Sequence, residues 1–180
     1  MDIIKLSKEI DNKIKKAEST LPYLLEEMQQ FEGLRITHRI KDKNRILEKI
    51  MLWSTNPKHK DVSEFELLEK VGDIIGITVV IEKLDDAFNT ANTIIKQLES
   101  KTHQSINFYK CIDHIRDNGG ITGYKGLLLI FSNKDNIPFE IQVTDEENFK
   151  IREDTHDEFV KNKYSSVKTQ TNQKTENYTR

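Results

Sequence analysis

Ile137-Pro138-Phe139-Glu140-Ile141-Gln142-Val143-Thr144 is a stretch in which apolar and polar side chains alternate. Alternation with a period of two predicts a β-strand with one buried face and one polar face. A proline near the start suits the first residue of such a strand, where a missing N–H group is tolerated. The polar face carries an acid in mid-strand, Glu140, beside the amide of Gln142. Because most polar strand faces simply meet water, this stretch alone leaves open whether Glu140 is functional or solvated.

Size and composition limit the classes of protein that fit. A chain of 180 residues favours one domain with a helical appendage. Its formal net charge is −2, from 28 basic and 30 acidic residues, so any anion site must be a local cluster of cations. A single cysteine, Cys111, cannot form an internal disulfide, which fits a reducing cytosol. With no signal-peptide core and no apolar run of membrane-spanning length, the sequence predicts a cytoplasmic protein without a membrane segment.

The two ends of the chain differ from its middle. Residues 1–33 predict a helical segment packed on the domain. One helix is predicted over residues 2–19, Thr20 and Pro22 interrupt it, and a second helix with Pro22 in its first turn is predicted over residues 21–31. A role of this segment in binding a partner is the alternative. Residues 165–180 are polar with almost no apolar side chains, which predicts a disordered tail. The domain itself is predicted over residues 34–164.

A basic strand and helix open the domain. Residues 34–40 predict an edge strand, and residues 41–53 predict a helix with an apolar side. Lys41, Arg45 and Lys49 recur at intervals of four along that helix, and Arg39 precedes it. Such a stripe is either a solvated face or, where no acid neutralises it, a holder for a polyphosphate.

An acid precedes the most apolar strand. Branched aliphatic residues occupy both parities over residues 74–81, which predicts a strand buried on both faces. Asp73 stands at its beginning, where it is either a cap for the turn or a metal ligand. A helix is predicted over residues 84–98, followed by further strands, and this order favours an α/β fold with a mixed sheet flanked by helices.

The last two predicted elements contain the remaining candidates. Residues 121–131 predict a strand in which Gly123 and Gly126 leave room for a ligand or another backbone, with the ring of Tyr124 open between them. Residues 146–164 predict a helix that carries His156, which is either a hydrogen-bonded core histidine or a functional one.

Six short elements follow one another along the chain in an order that is typical of one family. They are, in chain order, Arg39, Lys41 and Lys49; Asp73, Ile74 and Gly76; Asp113-His114-Ile115; Gly123 and Tyr124; Glu140-Ile141-Gln142; and Glu153, His156 and Phe159. Together they resemble the synthetase domain of the RelA/SpoT family, which makes (p)ppGpp by transferring pyrophosphate from ATP to a guanosine nucleotide. The resemblance covers about Arg39 to Phe159.

The resemblance implies a nucleotidyltransferase-like synthetase fold and a set of residue roles. The ribose 3′-hydroxyl of GDP or GTP would attack the β-phosphate of ATP, with Mg²⁺ as the cofactor. Asp73 would hold Mg²⁺, and Glu140 would be the base or a second metal ligand. The nucleotide and phosphate ligands would be Arg39, Lys41, Arg45, Lys49, Tyr124, Lys125, Gln142 and His156, with the ring of Tyr124 stacked on the acceptor base.

The sequence departs from the family pattern at four positions. Thr78 and Thr144 replace arginines, Leu128 replaces a histidine, and Arg45 replaces a serine. Since threonine cannot replace a planar, permanently charged guanidinium, Arg45 is a candidate for supplying the lost charge. Three hypotheses therefore stand: a small alarmone synthetase, a toxin-type relative acting on tRNA 3′-ends, or a lapsed enzyme that binds a nucleotide or protein. A homo-oligomer or an antitoxin partner is compatible with each.

Overall fold

The protein folds as a mixed five-stranded sheet with helices on both faces. The computed structural model describes residues 2–31, 33–100, 105–117 and 123–154. The elements in chain order are α1 (Ile3–Met28), β1 (Arg35–Ile40), α2 (Lys43–Ser54), α3 (Glu64–Glu69), β2 (Ile75–Ile81), α4 (Ala87–Glu99), β3 (Asn107–Asp113), β4 (Leu127–Ser132), β5 (Pro138–Asp145) and the described helical residues 146–154, here called α5. The predicted α/β class with a mixed sheet flanked by helices is confirmed.

The alternating stretch forms the central strand. The strand order is β1-β2-β5-β4-β3, so β5 lies in the middle and β1 at one edge. Strand β5 pairs in parallel with β2 and antiparallel with β4, while β1 and β3 pair antiparallel with their neighbours. Because β2 and β5 are parallel and Gly76 lies opposite Glu140, Asp73, two residues before β2, lies near the start of β5.

The two faces of the sheet are covered differently. Phe139, Ile141 and Val143 of β5 are fully buried, and the ring of Phe131 in β4 stacks on Phe139 at a centroid distance of 5.1 Å. Apolar side chains of α1, α2, α3 and α4 belong to the same core cluster on this face. The opposite, polar face contacts α5 through Arg152, which donates to Thr78 of β2 and Gln142 of β5. A cavity remains between this face and α5.

One continuous helix replaces the two that were predicted at the N-terminus. Helix α1 runs through Pro22, although an interior proline removes a hydrogen bond and costs about 3 kcal/mol. Ala17 and Leu24, two turns apart on either side of Pro22, are both buried against the core. Burial of one uninterrupted apolar stripe therefore outweighs the local cost, and the prediction of two helices is wrong.

Strand β4 is shorter than predicted. It begins at Leu127, whereas Gly123, Tyr124 and Gly126 lie in the loop before it, with Gly123 at a φ of +70°. Residues 121 and 122 of the predicted strand lie outside the described residues, as do the predicted tail over residues 165–180 and the end of the predicted last helix. In the part of the chain that is described, no helix is long and apolar enough to cross a membrane.

Candidate active site

Strand register sets two polar rows across the face of the sheet. Arg39 of β1, Gly76 of β2 and Glu140 of β5 lie side by side in one row. Thr37, Thr78 and Gln142 form the next row in the same way. The Arg39 side chain passes beside Gly76, where an added Cβ would lie 3.5 Å from it, an ordinary contact. These rows border a cavity of about 290 Å³ between the sheet and α5, lined by Thr37, His38, Arg39, Gly76, Thr78, Gln142, Phe149, Arg152 and Glu153.

Asp73 is held between two lysines next to this face. Lys41 donates to Asp73 Oδ2, and Lys49 donates to Oδ1 over 2.8 Å. The Asp73 side chain is 23% exposed, and those of Lys41 and Lys49 are 17% and 22% exposed. Burial alone would raise the pKa of Asp73, but the two ammonium groups outweigh it and lower the pKa to about 2. Asp73 is therefore ionised at every physiological pH.

Glu140 has the opposite electrostatic setting. Burial raises its pKa above the usual value, and the nearby Asp73 charge raises it further, while a hydrogen bond donated by Gln142 Nε2 to Glu140 Oε1 lowers it. A carboxylate whose proton affinity is increased is a stronger base. Two acids with pKa values pushed in opposite directions thus lie on one face, and such pairs are typical of sites that hold a charge at one acid and move a proton at the other.

Arg152 is the site residue that the sequence analysis missed. Its Nη1 donates to Thr78 Oγ1 over 2.7 Å and also to Gln142 Oε1, and the guanidinium lies 5.1 Å from the centre of the Phe149 ring. A guanidinium therefore occupies the position beside Thr78, but it comes from α5. The available signal was the spacing of Phe149 and Arg152, three residues apart on one side of the predicted helix.

The cations of the predicted basic stripe are paired with acids within the protein. Asp73 pairs with Lys41 and Lys49, and Arg45 pairs with Glu48 at 3.3 Å in an exposed position. Lys41 also precedes α2, which begins at Lys43 after its N-cap Asp42. The structure thus brings Lys41 and Lys49 to the site and places Arg152, not Arg45, beside Thr78.

Tyr124 is packed into the protein, contrary to the prediction of an open ring. It is 8% exposed, its ring meets His114 edge-on at 6.3 Å, and burial raises its pKa to about 12. The space next to Gly126 is taken by Tyr124 itself, since a Cβ at Gly126 would lie 2.4 Å from Tyr124 Oη and 3.0 Å from a backbone oxygen. Gly126 is therefore needed for the packing of this ring.

Substitution of Gly126 tests that packing. We expect Gly126→Ala to lower the free energy of unfolding by about 1–3 kcal/mol, because the added methyl group must displace the buried ring or the strand. Urea denaturation gives this value. Gly72→Ala is the matched control, because its Cβ would meet only Ile130 Cγ2 at 3.7 Å, an ordinary contact. Equal stabilities of the two variants would contradict the packing described for Tyr124.

The other predicted residues divide into those near the site and those outside the described part of the chain. Lys125 lies in the loop before β4, where its N–H donates to Asn148 Oδ1 and its carbonyl accepts from Thr144. Thr144 is therefore buried, and Leu128 lies opposite Gln142 in the neighbouring strand. Asp113 accepts from the N–H groups of Ile115 and Arg116 and so serves as a turn cap. The predictions for His156 and Phe159 fall outside the described residues.

The acids on this face fit a magnesium ion that is shared with phosphates. Within the described ranges, no group of three or more His, Cys, Asp or Glu side chains could hold a metal. Mg²⁺ is usually bound through one or two carboxylates together with substrate phosphates and water, and not by a full protein cage. Asp73 and Glu140 are the carboxylates that could hold such an ion, and Lys41 and Lys49 are the neighbouring cations that could contact its phosphates.

Comparison with known proteins gives matches in one family. A family model described as "Region found in RelA / SpoT proteins" matches residues 38–166. No curated protein sequence matches the chain.

Solved structures of similar fold agree with that match. Small alarmone synthetase 1 from Bacillus subtilis superposes with a TM-score of 0.59 at 18% identity, covering 91% of this chain and 85% of that one. The same synthetase bound to its product pppGpp gives 0.54 at 16% identity, with coverages of 90% and 83%. A GTP pyrophosphokinase family protein from Streptococcus pneumoniae gives 0.53 at 15% identity, with coverages of 97% and 78%. At these identities the likeness establishes the fold.

Proposed function

The chain belongs to the RelA/SpoT family, and from this premise we propose that it transfers pyrophosphate from ATP to the ribose 3′-hydroxyl of a guanosine nucleotide. The family match makes the chain a relative of the pyrophosphokinases. The choice of reaction and acceptor for this chain is our proposal. The observation that carries it is the pairing of an ionised Asp73, clamped by two lysines, with a Glu140 of raised pKa on the same face of the sheet.

The transfer exchanges one phosphorus–oxygen bond for another. A bond forms between the acceptor's 3′-oxygen and the β-phosphorus of ATP, and the bond from that phosphorus to the oxygen bridging the α- and β-phosphates breaks, so that AMP leaves. The proton of the 3′-hydroxyl goes to Glu140. Because little covalent chemistry is required of the protein, catalysis rests on positioning and on charge.

The chain's own residues have separate tasks in this transfer. Lys41 and Lys49, which lie beside Asp73, would bind the phosphate oxygens of ATP. Arg39 lines the cavity and lies in the same row as Gly76 and Glu140. It would provide a guanidinium for the phosphates. Glu140 is half-buried, and the desolvation that raises the pKa of its carboxyl also makes it a better proton acceptor.

A divalent metal fits this arrangement. The family's pyrophosphokinases generally use one, and we assign Mg²⁺ here to Asp73, which leaves Glu140 free to accept the proton. When bound, it would offset the negative charge of the phosphates.

The acceptor would bind the part of the face next to Glu140. Among the described residues there, Leu128 is aliphatic and Tyr124 is buried, so neither offers an open ring to an acceptor base. That feature favours keeping two other candidates: a tRNA 3′-end as the acceptor, or a lapsed enzyme that binds ATP without transfer.

One assay with several acceptors separates these candidates. The protein is incubated with Mg²⁺ and ATP labelled at the β-phosphate, in parallel with GDP, GTP or tRNA, and the labelled products are resolved. We expect label in a guanosine nucleotide. Label in tRNA alone would replace the acceptor, and binding of ATP without any labelled product would overturn the proposed activity.

A further inference from the structure

A line of hydrogen bonds connects α5 to Glu140. Arg152 Nη1 donates to Thr78 Oγ1 and to Gln142 Oε1, and Gln142 Nε2 donates to Glu140 Oε1. Every member except Arg152 lies on the polar face of β2 or β5. The single side chain of α5 in the line is thus joined to the acid of the site through one amide.

The chemistry of the end groups fixes the direction of this line. A guanidinium has only donors, and an ionised carboxylate has only acceptors. The amide of Gln142 can satisfy both neighbours in one orientation, with its oxygen toward Arg152 and its nitrogen toward Glu140. The flipped amide would set N–H groups against N–H groups and oxygen against oxygen, so two hydrogen bonds would be lost.

The guanidinium itself is held on its other sides. Its Nη2 and Nε donate to Glu153 Oε1 over 2.7 Å and 3.2 Å, and its flat face lies 5.1 Å from the centre of the Phe149 ring. Phe149 also contacts Arg35, whose guanidinium lies 4.4 Å from the ring centre and pairs with Glu146 at 3.1 Å. These contacts keep Arg152 in place while its Nη1 remains directed at Gln142.

We propose that Arg152 is a positioning residue that fixes the amide of Gln142 and thereby holds Glu140 Oε1 in one place for the reaction. The inference rests on the proposed function for its catalytic consequence. Its structural part concerns only Arg152, Gln142 and Glu140 and is independent of any substrate. The hydrogen bond from Gln142 fixes Glu140 Oε1 and leaves Oε2 available for the reaction. If Arg152 no longer holds the amide of Gln142, the carboxyl group of Glu140 can rotate out of the reactive position.

The structural part is tested by NMR of the side-chain amide of Gln142, identified by its loss in Gln142→Ala. In the parent we expect two well-separated proton signals that exchange slowly with water, because one N–H is bound to a carboxylate. In Arg152→Met, which keeps the packing on Phe149 but has no donors, the signals should move toward those of a free glutamine amide. Arg152→Lys, which restores one donor, should bring them part of the way back.

The matched control lies on the same helix. Lys150 is 70% exposed and pairs only weakly with Glu146, at 3.7 Å, so Lys150→Met should leave the Gln142 signals unchanged. Free-amide signals in the parent would overturn the proposal without any variant. Parent-like Gln142 signals in Arg152→Met would overturn it as well.

The catalytic part is tested by measuring kcat and the KM of the acceptor separately in the parent and in the variants. Arg152→Met should lower kcat about 10- to 100-fold with the KM of the acceptor unchanged, as expected for a displaced reacting group. Adding Gln142→Ala to Arg152→Met should lower kcat little further, because both changes break the same line. Additive losses would show that Arg152 acts elsewhere. If the parent transfers nothing, the proposed function fails, and the amide signals still decide the positioning of Gln142.

Discussion

Glu140→Gln is expected to lower the rate of pyrophosphate transfer about 10²- to 10⁴-fold, the range that a positioned general base contributes. The amide keeps the size of the side chain but cannot accept the proton of the 3′-hydroxyl. Its oxygen can still accept from Gln142, two residues along the same strand, so the fold should be retained. Steady-state rates with saturating ATP and acceptor, together with the circular dichroism of the variant, give the result.

A nearby exposed acid provides the control for this change. Glu147 lies two residues after the end of β5 and is exposed. Glu147→Gln alters the net charge by the same amount, and we expect its transfer rate to equal that of the parent. If Glu140→Gln kept more than a tenth of the parent rate, the loss would be below about 1.4 kcal/mol of barrier and Glu140 would not be the base.

Asp73→Asn should reduce transfer by about 10²-fold or more and should also destabilise the fold. The catalytic loss follows from removing a fixed charge that pairs with the two lysines and that, in our proposal, holds the metal. The lowered pKa of Asp73, from 3.8 to about 2, corresponds to about 2 kcal/mol of unfolding free energy at neutral pH. Urea denaturation of parent and variant measures the second effect separately from the first.

The stability difference should depend on pH in one direction. An acid with a lowered pKa binds fewer protons in the folded chain than in the unfolded chain, so its stabilising effect is full above about pH 4 and disappears as the pH falls toward 2. The gap between parent and Asp73→Asn should therefore close over that interval. A gap that stays constant from pH 6 to pH 2.5 would contradict the clamp formed by Lys41 and Lys49.

Elements governed by local patterning could be predicted from the sequence. The alternation of apolar and polar residues predicted which face of β5 is buried. The run of branched aliphatic residues predicted strand β2, with Asp73 before its first residue. The capping box of α3, with Ser63 and Glu66, is equally local. Each depends on residues within a few positions of one another, which is the range over which periodicity and capping act.

Features that depend on distant partners could not be predicted. Arg152 meets Thr78 across 74 positions of sequence, and Lys49 meets Asp73 across 24. No local pattern reports whether a cation of a helix will find an acid elsewhere, so the stripe through Lys41 and Lys49 looked unneutralised. The continuity of α1 through Pro22 and the burial of Tyr124 likewise depend on tertiary packing, which overrides local preference.

The central claim is that this face of the sheet transfers pyrophosphate, and the leaving group tests it most directly. AMP and ADP are quantified while β-labelled ATP reacts in the presence of the guanosine acceptor. Our account predicts one AMP for each labelled acceptor formed, no matching ADP, and loss of both products in Glu140→Gln. Formation of ADP with a singly phosphorylated acceptor, or of AMP and free pyrophosphate without a labelled acceptor, would contradict it.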